Sequence, residues 1–161
     1  MNQEGFLAPS TAFDEGHFAT GDGHTIWYGQ YGMPDGVPLF WLHGGPGSGS
    51  SVRHLQLIDL SRYRVVLSDQ RGCGRSLPLG AIAANDTSLL VADIERLRTH
   101  LQLDHIVLGG GSWGAALALA YAARHAASIS ALVLRAPFLA TQKEIDAFFQ
   151  PAPGAADACW E

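Results

Sequence analysis

The chain has 161 residues, 47% of them hydrophobic and 16% charged, with a net charge of −5. That length suits a single domain, and that balance affords a packed core and excludes a disordered polar chain. No basic run or stripe interrupts the acidic background, so neither nucleic acid nor an anionic membrane is an expected partner.

The two cysteines, Cys73 and Cys159, are too few for a disulfide scaffold and lack metal-ligand spacing. Both read as free thiols in a reducing compartment. The opening residues, MNQEGFLAPS, hold no basic stretch followed by an apolar one, so no secretory signal is expected. The longest run of small apolar residues, Ala115 to Ala123, is far too short to span a bilayer. The expected location is the cytoplasm.

In chain order, residues 1–20 read as an N-terminal arm. Thr25 to Tyr31 (TIWYGQY) is β-prone and runs into GMPDG, a turn signal. Four short apolar runs follow: Leu39–Leu42 (LFWL), Arg64–Leu67 (RVVL), Ile106–Leu108 (IVL) and Ala131–Leu134 (ALVL). Continuous runs of this length suit strands buried on both faces of a parallel sheet. Between them, Leu90, Ile94, Leu97 and Leu101 form one helical apolar stripe, with Asn85, Asp86 and Thr87 as cap candidates. Ala115 to His125 reads as a second helix, whose small residues allow close approach to a strand. Alternating strands and helices predict an α/β fold with a mostly parallel sheet and helices on both faces. Residues 21–140 would form its core. Residues 141–161 begin with a polar, helix-like piece (TQKEIDAFFQ) and continue into PAPGAADACWE, which suggests no strand.

Three motifs carry chemistry. Gly110-Gly111-Ser112-Trp113-Gly114 is G-x-S-x-G between a strand and a helix, the setting of a nucleophile elbow. The sharp turn exposes the serine hydroxyl. Gly110 and Gly114 remove side chains that would clash with the neighbouring strand and helix. The helix N-terminus adds positive potential where an oxyanion would develop. The plainer reading is a glycine-rich turn with a chance serine. Gly109, Gly111 and Gly114 also spell G-x-G-x-x-G, but Arg135 stands where a dinucleotide site wants an acid, and earlier strands precede the motif.

The second motif, His43-Gly44-Gly45-Pro46-Gly47, follows the strand PLFWL. A backbone N–H from such a loop completes an oxyanion hole with the N–H of the residue after the serine. The expected donors are Trp113 and Gly45, with Gly44 the alternative to Gly45. A plain Gly/Pro turn is the competing reading, and His43 reads as an anchor of the loop rather than a base. The third motif, Asp69-Gln70-Arg71-Gly72-Cys73-Gly74-Arg75-Ser76, reads as a structural loop beside the site. No local base marks Cys73 as a nucleophile.

In this order, HGGPG, DQRGCGRS and GGSWG closely resemble the prolyl aminopeptidases (proline iminopeptidases), serine peptidases of the α/β-hydrolase fold. The resemblance extends through LVADIERLR, LALAYA and LVLR and covers residues 21–161. It implies cofactor-free, metal-free release of N-terminal proline from peptides through an acyl-enzyme on Ser112. It also implies that Phe138 helps hold the proline ring, although a core phenylalanine would read the same way. Ala115-Ala116 and Ala136-Pro137 depart from the family pattern around the substrate pocket.

In this fold the triad runs Ser, then Asp or Glu, then His. Past Ser112 the sequence offers one histidine, His125, on the helix that the serine opens, and no acid lies between them. The resemblance therefore covers the N-terminal part of the fold, with acid, base, last strands and cap expected beyond Glu161. Three functional readings stand: a prolyl aminopeptidase-like chain, an esterase or amidase of the same fold, and an inactive or partner-dependent fragment. The last leaves the Ala131–Leu134 strand as an open sheet edge, which implies homo-oligomerisation or pairing with a complementing C-terminal half.

Overall fold

The computed structural model describes residues 11–139 and 141–149, so Cys159 and the PAPGAADACWE segment lie outside the described residues. A six-stranded sheet has the order β1-β2-β4-β3-β5-β6. Its strands are β1 (Asp14–Ala19), β2 (Thr25–Gly32), β3 (Val37–Leu42), β4 (Tyr63–Ser68), β5 (Ile106–Ser112) and β6 (Ile129–Pro137). β1 and β2 pair antiparallel, and β2 pairs antiparallel with β4. The remaining pairs, β3 with β4, β3 with β5 and β5 with β6, are parallel.

Three of the four apolar runs become strands because both their faces are covered; the fourth, Ala131–Leu134, forms a strand but not a doubly buried one, since it lies at the sheet edge among the described residues. Phe40, Leu42, Val66, Ile106 and Leu108 share one cluster with Leu90, Ile94 and Leu97 of α1 (Thr87–His100) and Leu117 and Tyr121 of α2 (Trp113–His125). The alternate residues Leu39, Trp41, Val65, Leu67 and Val107 pack on the other face with Leu55. Leu55 belongs to a 3₁₀ helix over Val52–Leu57. The two long helices thus cover one face and the 3₁₀ helix the other. Asp86 caps α1 by accepting a hydrogen bond from the Leu89 N–H at 3.0 Å.

β1 lies within the stretch read as an arm. Its sequence, DEGHFA, carries no apolar alternation, and its residues are exposed or half-buried at the sheet edge. Backbone pairing with β2 therefore forms the strand, and hydrophobic periodicity gives no sign of it. At the opposite edge β6 ends the sheet among the described residues, with Leu132 39% and Val133 45% exposed. The polar piece after it forms α3 (Gln142–Phe149). No helix among the described residues is long and apolar enough to cross a membrane.

Candidate active site

Because β4, β3 and β5 are adjacent and parallel, the three loops at their carboxyl ends lie side by side. These loops are the three motifs, gathered where open α/β sheets place their ligands. The site is a consequence of strand order.

Ser112 is exposed and sits at φ 54°, ψ −122° between β5 and α2. A non-glycine residue seldom holds that conformation, and the cost, about 1–3 kcal/mol, is sustained only where the surrounding structure enforces it. The enforcement is visible at the flanking glycines. A Cβ on Gly110 would overlap the Gly114 carbonyl oxygen. A Cβ on Gly114 would overlap the Leu42 carbonyl oxygen and stand 2.8 Å from that of His43. These neighbours are backbone atoms, so no side-chain rotation relieves the clash. Only glycine lets α2 start this close to the end of β3.

The loop after β3 lies against the serine. A Cβ built on Gly44 would be 3.5 Å from the Ser112 Cβ and 3.2 Å from the Gly111 carbonyl oxygen. Gly45 follows at φ 110°, a left-handed conformation open to glycine. Two donor-bearing segments, Gly44-Gly45 and the Trp113 start of α2, thus flank one exposed hydroxyl.

His43 holds the loop rather than the proton. It is buried, and its Nε2 accepts the Gln70 backbone N–H at 3.0 Å. The proton must then sit on Nδ1, which donates to the Gly44 carbonyl oxygen at 2.7 Å. Burial lowers its pKa, so the neutral ring persists. Asp69 is fully buried and braces the same loop. One carboxylate oxygen accepts the Ser50 N–H at 2.6 Å, and the other accepts the Arg75 N–H and Nε–H, both at 2.8 Å. Burial alone would raise its pKa, but the bonds from Arg75 and Ser50 outweigh it and hold the carboxyl below the usual range. Arg71, 1% exposed, donates to Asp93 on α1 at 2.5 and 2.9 Å and to Asp22 at 2.7 Å. Cys73 is buried, and burial raises its thiol pKa, which suits an inert residue.

Phe138 is half-buried just past β6. Gly111 pairs with Arg135 and Ser112 with Pro137, so Ala136 is the extra residue of a bulge, at φ 44°. The bulge brings Phe138 one residue beyond the partner of the serine. His125 ends α2 and stacks on Tyr121 with ring centroids 4.8 Å apart. It is the last of the thirteen residues of α2 that follow Ser112, about 20 Å along the axis at 1.5 Å per residue. Among the described residues no histidine or carboxylate hydrogen-bonds the Ser112 hydroxyl, and no group of three metal-ligating side chains occurs.

Gln70, read from the sequence as part of a structural loop, bonds to both His43 and Trp113, and no local sequence signal marks those contacts.

A family model described as "alpha/beta hydrolase fold" matches residues 37–154. The chain is 48% identical over 140 residues to a proline iminopeptidase of Xanthomonas citri, covering 87% of this chain and 45% of that one. It is 43% identical over 150 residues to a proline iminopeptidase of Arabidopsis thaliana, covering 93% and 40%. A crystal structure of a proline iminopeptidase-related protein from Thermus thermophilus superposes with a TM-score of 0.70 at 32% identity, covering 78% and 45%. The chain therefore spans less than half the length of these relatives.

Proposed function

We propose, on the premise that this chain belongs to the α/β-hydrolase fold family, that it carries the nucleophile and oxyanion hole of a serine aminopeptidase releasing N-terminal proline. As a base from outside the described residues takes its proton, Ser112 Oγ attacks the carbonyl carbon of the proline residue to form a tetrahedral oxyanion; the C–N bond then breaks, the proton passes to the departing peptide amine, and an acyl-enzyme remains. The backbone N–H groups of Trp113 and Gly45 hold the oxyanion, with Gly44 shaping the approach. Phe138 offers an apolar face to the pyrrolidine ring. The observation that carries this reading is the strained backbone of Ser112, held in place by backbone contacts at Gly110 and Gly114.

The histidine and acid that complete a triad come, in this reading, from outside the described residues. His43 is committed to its loop and His125 is too far along α2. Without a base, acylation loses several orders of magnitude, although the oxyanion hole leaves residual catalysis. The isolated 161-residue chain is accordingly expected to turn over substrate weakly and to gain activity from a complementing segment.

The test compares prolyl p-nitroanilide with p-nitrophenyl acetate, for wild type and Ser112→Ala. Preference for the prolyl substrate, lost in Ser112→Ala, supports the peptidase. Turnover of the acetate alone would move the chain to an esterase reading. Full enzyme-like rates from the 161 residues would refute the need for outside residues.

A further inference from the structure

Gln70 has no role in the reaction as outlined, yet it touches both donor-bearing segments of the oxyanion hole. It follows Asp69 at the end of β4 and is 9% exposed. Its backbone N–H donates to His43 Nε2 at 3.0 Å, and its side-chain Nε2 donates to the His43 carbonyl oxygen at 3.0 Å. Its Oε1 accepts the indole Nε1–H of Trp113 at 3.0 Å. One amide side chain therefore ties the residue before Gly44 to the residue after Ser112.

We propose that Gln70 is a positioning residue that sets the width of the oxyanion hole. The inference rests on Ser112 being the nucleophile. An oxyanion hole works when both donors stand about 2.7–3.1 Å from the developing charge, without rearrangement during reaction. Here the donors sit on separate segments, one after β3 and one opening α2. Close packing of Gly114 on Leu42 and His43 limits how near these segments come, and the β3–β5 ladder holds them together only as far as Leu42 and Gly110. Beyond the ladder Gln70 limits their separation, as an attractive bridge from His43 to Trp113. The bond from His43 Nδ1 to the Gly44 carbonyl carries the constraint on to the donor loop. A glutamine meets the need because its amide offers a donor and an acceptor together. A carboxylate or an ammonium offers one of the two.

The test uses the 161-residue chain labelled with ¹⁵N, and a fluorophosphonate whose attack on Ser112 develops an oxyanion. Gln70→Leu removes both side-chain bonds while retaining the backbone bond to His43. Gln70→Glu keeps the acceptor for Trp113 and, ionised, loses the donor to His43. In Gln70→Leu the Trp113 indole resonance and the Gly44 and Gly45 amides are expected to move, while amides of the β1–β2 hairpin stay. In Gln70→Glu the indole keeps its hydrogen-bonded position and the glycine amides move. The rate of Ser112 phosphonylation per folded molecule should fall about tenfold or more in Gln70→Leu and less in Gln70→Glu.

Unmoved Gly44 and Gly45 amides, or an unchanged rate per folded molecule, would overturn the proposal and leave Gln70 a structural residue. A wild type labelled too slowly to compare reflects the missing base and not the hole. The indole and glycine resonances then still decide whether the bridge exists. Should Gln70→Leu not fold, Gln70→Glu carries the same comparison, since it adds no unpaired apolar bulk and keeps the bond to Trp113.

Discussion

Replacing Gly114 by alanine tests the geometry at the centre of the site. Alanine favours a helix over glycine by about 1 kcal/mol, so propensity alone predicts stabilisation. The structure predicts the opposite. The added Cβ would overlap the Leu42 carbonyl oxygen, stand 2.9 Å from the Leu42 carbonyl carbon and 2.8 Å from the His43 carbonyl oxygen. Relief requires α2 and the end of β3 to separate by more than about half an ångström, and overpacking against backbone atoms falls in the upper part of the usual range, roughly 2–3 kcal/mol. The expected net effect is a loss of about 1–2 kcal/mol, read as a lower urea midpoint at unchanged slope. Reactivity should suffer more than stability, because the same separation moves the Trp113 N–H away from Gly45. Displacement on this scale costs about ten- to a hundredfold in rate. The assay pairs urea unfolding with the fluorophosphonate labelling rate of Ser112. A Gly114→Ala chain as stable as wild type, or one that labels at the wild-type rate, would show that the close approach of α2 to β3 does not set the site.

Three further outcomes follow from other parts of the chain. Asp93→Ala strands the buried Arg71 guanidinium with one carboxylate partner, Asp22, and should cost about 3–5 kcal/mol in urea unfolding, whereas Arg71→Met with Asp93→Leu should recover most of it. Glu95 accepts hydrogen bonds from Arg98 and Tyr121, and the Arg98 bond chiefly lowers its pKa to about 2, from 4.5 for an unperturbed glutamate. A lowered folded-state pKa gives stability that is present above the unfolded value and lost as pH falls through the folded one. Wild type should therefore lose this contribution between about pH 4.5 and pH 2, and Glu95→Gln should flatten that part of the pH–stability curve. The β6 edge, unpaired among the described residues, should drive concentration-dependent association in sedimentation velocity, and Val133→Lys should reduce it.

The interior of the sheet was legible because both its faces are covered. LFWL, RVVL and IVL read as buried strands, and they are β3, β4 and the start of β5. β1 was not legible, because DEGHFA is held by pairing with β2 at an exposed edge and carries no pattern of its own. The tight turn from β5 into α2 could be read from G-x-S-x-G because Gly110 and Gly114 each stand where a Cβ would meet backbone. The brace between the loops was not readable. A glutamine in DQRGCGRS has no local signature for hydrogen bonds to His43 and Trp113, which strand order alone brings together. Arg71 is similar, since a buried arginine declares itself only once Asp22 and Asp93 are seen to converge on it.

Everything proposed for the site turns on Ser112 being an exposed nucleophile beside preorganised donors, even before a base is supplied. The measurement is treatment of the 161-residue chain with a fluorophosphonate at neutral pH, followed by peptide mapping by mass spectrometry. The account predicts one adduct, on Ser112, formed faster than on any other hydroxyl and absent from Ser112→Ala and from urea-unfolded protein. Labelling of Ser112 that is equal in folded and unfolded chains, or a faster adduct on another hydroxyl, would contradict that geometry.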